Sequence, residues 1–234
     1  MTQRIDQIGA ATILQGCYPA VSGVAPRFCD FIARDDTTQR IDTISDQNTN
    51  VGEDHVDGID FSAAYLFGTP AGTFDLQFAM SYLRRYDRTL ADGAVIHGAG
   101  VFDLSDNGQG GAYPHFRFNA GIAWADKGFN AGIRTYFIGA YDECGDSAGD
   151  LSGTGLCYTP DHIGQRTVDA FNSWDVSFGY SFKSGAGETS FSLGAINIFD
   201  AAPPAVYNGF ASTTDIFSYD LMQSQVYARL GHKF

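Results

Sequence analysis

Phe191-Ser-Leu-Gly-Ala-Ile-Asn-Ile-Phe-Asp-Ala-Ala-Pro-Pro204 and Val226-Tyr-Ala-Arg-Leu-Gly-His-Lys-Phe234 decide how this sequence is read. In the first stretch Phe191, Leu193 and Ala195 alternate with Ser190, Ser192 and Gly194, the period of two expected of a strand with one apolar face. The alternation stops at Asn197-Ile-Phe-Asp200, and the prolines at 203 and 204 cannot donate to a strand ladder. In the second stretch Val226, Ala228, Leu230 and Phe234 share one face, while Gln225, Tyr227, Arg229 and Lys233 share the other. An aromatic ring therefore closes the apolar row.

Working outward, the same alternation recurs. Residues 56–68 place Ile59, Phe61, Ala63, Tyr65 and Phe67 opposite Asp60, Ser62 and Ala64. Residues 73–86 place Phe74, Leu76, Phe78, Met80 and Tyr82 opposite Asp75, Gln77 and Ser81. Residues 115–125, 129–141 and 173–183 repeat the pattern, and 189–199 and 219–234 bring the predicted strands to seven. Asp, Arg and Lys occupy the polar rows. Connections alternate in length: 69–72, 126–128 and 183–188 are short, whereas 87–113, 142–167 and 200–217 are long. Trp124, Phe129, Phe182 and Phe191 flank the short turns, and Tyr82, Tyr141 and Trp174 lie towards the long loops. Two aromatic girdles, with short turns at one rim and long loops at the other, are the pattern of a transmembrane β-barrel.

The ending resembles the C-terminal part of a TonB-dependent receptor. In that family the penultimate strand closes with an Asn-Leu-Phe-Asp type motif, a Pro-Pro loop follows, and the last strand ends in Phe. The matching residues here are Asn197, Ile198, Phe199, Asp200, Pro203, Pro204 and Phe234; His232 departs, standing where the family usually has an aromatic. The stretch 1–51, with its paired cysteines and Gly58-Ile-Asp60 beyond it, resembles one long external loop of the family, which a strand normally precedes.

The resemblance implies an all-β fold: an antiparallel transmembrane β-barrel segment, about seven strands of a larger barrel, with short periplasmic turns and long external loops. Residues 1–51 are expected to be an external loop region and 52–234 the C-terminal barrel strands. The N-terminal plug domain of the family is expected to be absent from this stretch. The resemblance further implies active uptake of a scarce ligand, such as a siderophore, cobalamin or an oligosaccharide, and a bacterial outer-membrane location. The implied partners are outer-membrane lipid, the TonB complex acting through the missing plug region, the barrel-assembly machinery and a small ligand. Leu230 and Phe234 are the expected assembly signal. Met1-Thr-Gln-Arg-Ile-Asp-Gln7 has no apolar signal-peptide core, so the chain reads as part of a longer exported precursor. Two alternatives stay open: a small self-contained outer-membrane barrel with a structural or adhesive role, and a secreted soluble β-sandwich binding module.

Composition narrows the classes. No stretch approaches the ~20 apolar residues of a membrane helix. The mean hydropathy of -0.13 fits alternating strands, whose two faces average out. A net charge of -13 argues against a nucleic-acid partner, which needs basic faces, and fits solvated outward loops or cation binding.

Each cysteine pair brackets a short loop expected to be external and oxidised, so Cys17–Cys29 and Cys144–Cys157 are the expected disulfides among the three possible connectivities. Closing loops of this size stabilises by about 3 kcal/mol each. The histidines 55, 97, 115, 162 and 232 show no ligand spacing, and no nucleophile motif points to an enzyme or a cofactor. Asp103, Asp106, Asp142, Glu143, Asp146, Asp150 and Asp161 crowd two long loops without EF-hand spacing and read as solvated loop charge. Asp60, Asp75, Arg117, Arg134, Asp175 and Arg229 read as cross-strand ladders on the polar face.

Overall fold

The computed structural model describes residues 2–20, 26–89, 93, 95–102, 111–143, 158–159, 162–163, 166–206 and 214–234. Its elements in chain order begin with β1 (Thr2–Asp6), α1 (Ala10–Cys17), β2 (Ile32–Arg34) and β3 (Ile41–Ile44). They continue with β4 (Thr49–Thr69), β5 (Gly72–Thr89), β6 (Val95–His97), β7 (Phe116–Asp126), β8 (Phe129–Ile138) and β9 (Tyr141–Glu143). The remainder are β10 (Tyr158–Thr159), β11 (His162–Ile163), β12 (Arg166–Val168), β13 (Phe171–Ser184), β14 (Gly187–Ile196) and β15 (Gln225–Lys233). The chain divides into two compact units, Met1–Val56 with Tyr86–His97, and Asp57–Arg85 with Gly98–Phe234.

Residues 1–51 are less irregular than the sequence suggests. β1 pairs antiparallel with the start of β4, from Thr2↔Asp54 to Asp6↔Thr49, so a strand does precede the helix. Ile5 lies in β1, and Ile13 is the fully buried residue of α1. Cys17, at the end of α1, is joined to Cys29. β2 and β3 form a hairpin whose connection is organised by Asp35. Its Oδ1 accepts from the Thr37 and Thr38 amides at 3.0 and 2.6 Å and from the Thr38 hydroxyl at 2.8 Å. Those donors, led by the Thr38 amide, hold the carboxyl below its ordinary range.

The second unit is an antiparallel meander of seven strands. β4 from Asp57 onward, β5, β7, β8, β13, β14 and β15 lie side by side in sequence order. The expected alternation of connections holds. The pairs β4/β5, β7/β8 and β13/β14 are joined by two-residue turns at 70–71, 127–128 and 185–186. Antiparallel order sets all three at one end, where Trp124 Nε1 donates to Ala71 O at 2.7 Å.

Register carries the apolar rows across the sheet. One row runs Leu76↔Ile122↔Ile133↔Val176↔Ala195↔Val226. The next runs Phe74↔Trp124↔Ala131↔Phe178↔Leu193↔Ala228. Side chains alternate strictly in a strand, so these registers give one apolar and one polar face over the whole width. Ile122, Ile133, Phe178, Leu193 and Phe191 on the apolar face are all exposed. Two polar side chains on this face satisfy each other: buried Thr135 donates from Oγ1 to Oδ1 of exposed Asn172 at 2.6 Å.

The buried core sits at the long-loop end. Phe102, Ala112, Tyr141, Val168, Phe171, Val206 and Tyr219 pack together there, drawn from the connections rather than the strand centres. Tyr141, expected in an aromatic girdle, belongs to this core. The predicted strand 129–141 ends at Ile138, and the chain resumes as β9, paired with β12. Gly139 marks the break: its amide donates to Phe116 O at 2.8 Å, and a side chain there would press on that carbonyl. The predicted strand 219–234 is shorter too, because Tyr219 is buried in the core and the ladder starts at Gln225.

The turn at 127–128 tests the meander. Gly128 has φ of 89°, and a Cβ there would strike the Ser181 carbonyl of the adjacent hairpin. Gly128→Val combines a left-handed backbone with that collision and is expected to cost about 1–3 kcal/mol. Urea unfolding in detergent micelles, followed by heat-modifiable gel migration, measures the loss.

Candidate functional site

The polar face of the seven strands gathers convergent polar groups and lines two cavities. Alternation alone sends Asp60, Ser81, Arg117, Tyr136, Ser173 and Asp175 to it from five neighbouring strands. Glycine keeps it low in places. A side chain at Gly194 would occupy the position of the Tyr227 ring, so that ring lies across the glycine from the neighbouring strand. Arg134 lies over Gly121 in the same way.

Two cavities open on this face. The one nearer the long loops has a volume of about 760 Å³ and lies between the strands and the 218–222 segment, which contributes Ser218, Asp220 and Met222. The second, of about 640 Å³, is lined by Asp75, Gln77, Arg134, Tyr227 and Arg229 among others, and Asp175 borders both.

The charges do not all form the expected ladders. Asp175 and Arg134 are directly opposite in register. Asp60 instead accepts from Ser81 Oγ at 2.5 Å, and Asp75 from Gln77 Nε2 at 3.1 Å. Arg117 reaches out of the sheet: its Nη2 donates to Ala112 O at 2.6 Å and to Ser218 Oγ at 3.1 Å, tying two connections to the strands.

The motif Asn197-Ile-Phe-Asp200 forms a compact stop to β14. Asn197 and Asp200 both take left-handed backbones, with φ of 49° and 52°. This conformation is less costly for Asn and Asp than for most residues, because their short polar side chains bond locally. The buried Asn197 side chain clamps Ala201, donating from Nδ2 to its carbonyl and accepting its amide at Oδ1, both at 2.9 Å. The Asn197 amide donates to Asp175 Oδ1 at 2.9 Å, and Asp200 Oδ1 accepts the Ser224 amide at 2.8 Å. The motif thus locks the end of one strand to β13 and to the approach of β15. Phe199, by contrast, projects outward and is 73% exposed. Pro203 and Pro204 are half-buried, and Pro204 O accepts from Thr214 Oγ1 at 3.0 Å. Sequence reasoning missed Asp175 as the cap of this turn, since the 22 residues between the partners hide the contact.

The long-loop end is held by buried polar groups. Glu143 is 0% exposed and paired with Arg166, which also donates to Ala205 O at 3.1 Å. Glu143 is therefore a buried structural partner, a correction to its reading as solvated loop charge. Asp142 is half-buried and accepts from Thr167 Oγ1 at 2.7 Å. Asp103, Asp106, Asp146, Asp150 and Asp161 lie outside the described residues. Buried Asp215 accepts the amides of Ala112 and Phe217 at 3.1 and 3.0 Å. The hydroxyls of Tyr141 and Tyr219 face each other at 3.4 Å. Burial, then the bond to Tyr219, pushes the Tyr141 hydroxyl far above its ordinary range, and burial raises Tyr219 as well.

Of the other predicted site residues, Cys17 and Cys29 are bonded, with Cα atoms 4.8 Å apart. Cys144 and Cys157 lie outside the described residues. Leu230 pairs in register with Phe191 on the apolar face and is 77% exposed; Phe234 is 98% exposed. His232 sits between them in the same row, its Nδ1 2.9 Å from Thr189 Oγ1 and its ring edge-on to Phe234 at 4.5 Å. Among the described residues no group of three or more His, Cys, Asp or Glu is placed to hold a metal ion.

Comparison with known proteins adds one match. The family model described as TonB dependent receptor-like, beta-barrel matches residues 27–198. No curated protein and no solved structure matches the chain.

The tyrosine pair gives a pH dependence. Both folded hydroxyls titrate above the unfolded value of about 10, so their contribution is intact below that pH and is lost as pH rises beyond it. The difference in tyrosinate absorbance between the wild type and Tyr141→Phe/Tyr219→Phe should therefore appear only above the range of exposed tyrosines. Loss of near-ultraviolet circular dichroism should accompany it. Titration together with the exposed tyrosines would contradict this assignment.

Proposed function

Because the chain belongs to the TonB dependent receptor-like β-barrel family, whose members are outer-membrane transporters, we propose that its seven strands are part of the wall of an uptake barrel for a scarce ligand. The apolar face meets lipid and the polar face lines the passage. The observation that carries this reading is the register: two apolar rows continue from β5 to β15, and most of the large side chains on this face are exposed. A soluble sandwich would cover such a face with a second sheet about 10 Å away. Among the described residues the remaining sheets are two-stranded hairpins, too small for that.

A siderophore complex, cobalamin or an oligosaccharide is the kind of cargo this barrel takes up, with energy delivered by the TonB complex through a plug region of the full-length protein. Uptake, not catalysis, is the activity. In hydrocarbon every backbone amide and carbonyl needs a partner within the protein. The free edges of β4 and β15 in the second unit thus pair with further strands in the membrane, and the wall is larger than seven strands. The 1–51 region and the Cys144–Cys157 bond belong to the external, oxidising side.

Single cysteines test the facing, in a background with the four native cysteines changed to Ser. In outer membranes Gln77→Cys and Ser177→Cys should react with a membrane-impermeant maleimide when the passage is open to water. Phe178→Cys and Leu193→Cys should resist it and, once spin-labelled, show the broadening by lipid-soluble oxygen typical of a hydrocarbon environment. Equal reactivity on the two faces would sink the assignment.

Leu230 and Phe234 are the residues we assign to recognition by the barrel-assembly machinery. An aromatic ring at the periplasmic lipid boundary is favoured, whereas a carboxylate is not. Phe234→Trp should assemble normally, and Phe234→Asp should lower the outer-membrane level several-fold, as read from heat-modifiable migration. Wild-type assembly of Phe234→Asp would remove this role.

A further inference from the structure

The outer cavity on the polar face has a charge character that the barrel reading leaves unused. Its volume of about 760 Å³ lies within the 300–1,000 Å³ typical of small-molecule pockets. Asp60, Asp175 and Asp220 face a single guanidinium, Arg117, in its lining. Arg117 is already committed, since Nη2 bonds Ala112 O and Ser218 Oγ. Each carboxylate makes one protein hydrogen bond: Asp60 with Ser81 Oγ, Asp175 with the Asn197 amide, and Asp220 with the Met222 amide at 3.0 Å. All three bonds fall on Oδ1, which leaves Oδ2 of each to other donors. The inner cavity differs, for Asp75 and Asp175 there meet Arg134 and Arg229 in equal number. Asp175 borders both cavities and stands opposite Arg134 in register, so counted once the carboxylates Asp60, Asp75, Asp175 and Asp220 face the guanidiniums Arg117, Arg134 and Arg229. The excess lies with Asp60 and Asp220 beside Arg117 in the outer cavity, and the chain's net charge of -13 has the same sign.

The three carboxylates come from β4, β13 and the 218–222 segment and are not gathered into a chelating group. A bare metal ion needs several oxygens at bonding distance. A larger body with spread positive charge does not, and it gains from the apolar lining of Ile138, Phe171, Ile196 and Met222.

We propose that the outer cavity binds a cationic organic ligand, its positive groups shared among Asp60, Asp175 and Asp220 and its apolar body against Met222. This deepens the uptake reading and rests on it. It commits the cargo to positive charge and disfavours anionic complexes, which would meet three carboxylates against the one guanidinium of the lining.

The test uses the full-length receptor in nanodiscs and three iron complexes of similar size: a cationic linear ferric trihydroxamate, a neutral cyclic ferric trihydroxamate and an anionic ferric tricatecholate. Quenching of intrinsic fluorescence gives each Kd. The cationic probe is expected to bind about tenfold or more tighter than the anionic one, the preference shrinking as salt is raised. Asp60→Asn and Asp220→Asn should each weaken the cationic probe several-fold while leaving the neutral probe within about twofold. Asp220→Asn lies in an exposed connection, so it keeps the test valid if Asp60→Asn assembles poorly. The proposal is overturned if the anionic probe binds as tightly as the cationic one, if the Asp220 variant leaves the preference unchanged, or if none of the three binds. Those outcomes leave the lipid and lumen assignment standing, because the cysteine labelling of the two faces decides that separately.

Discussion

Cross-strand hydrogen bonding in a fixed register is the constraint from which the rest of this molecule follows. A slip of one residue between any two of the seven strands would exchange the faces of everything beyond it. The registers instead align Leu76, Ile122, Ile133, Val176, Ala195 and Val226 in one line. Two-residue turns enforce this alignment. Gly128 at one of them approaches the neighbouring backbone so closely that no side chain fits. Local turn chemistry thereby determines which residues share the apolar face of a wide sheet.

Stability is distributed unevenly. The strand centres bury little on either face, as expected of a wall between hydrocarbon and water, so their order rests on the ladder itself. In the second unit hydrophobic burial gathers at the long-loop end, where Tyr141, Val168, Phe171, Val206 and Tyr219 pack around polar groups that are themselves satisfied. The Glu143–Arg166 pair is a positioning device more than a source of stability, since desolvating two charges offsets much of their attraction. Losing either partner would leave the other uncompensated. Arg117 connects the two regimes, rooted in a strand and bonded to two connections. The strands and the connections beside the outer cavity are thus mechanically joined.

The family motif acquires a physical meaning here. Asn197 and Asp200 are suited to their left-handed backbones, and their side chains satisfy amides that the ending strand would otherwise leave open. Asp175, from the preceding strand, caps the same turn. The motif therefore stops β14, turns the chain, and aligns Ser224 for the start of β15. Phe199 has no such task among the described residues and is left 73% exposed.

By itself the sequence determined the seven strands, their two faces and the alternation of short and long connections. These depend on a period of two and on turn residues, both local properties. Family membership was also legible, from Asn197 to Pro204 and from Phe234. Tertiary structure alone decided where the strands stop and which polar residues are structural. Tyr141 and Tyr219 alternate like girdle or strand residues, yet packing draws both into the loop core. Glu143 looks like any acidic loop residue until Arg166, 23 positions later, is found beside it. The same holds for Asp175 and Asn197 and for Arg117 and Ser218. Periodicity reports the face on which a side chain lies. It carries no record of the distant partner that meets it there, because that meeting depends on how the connections fold back over the sheet.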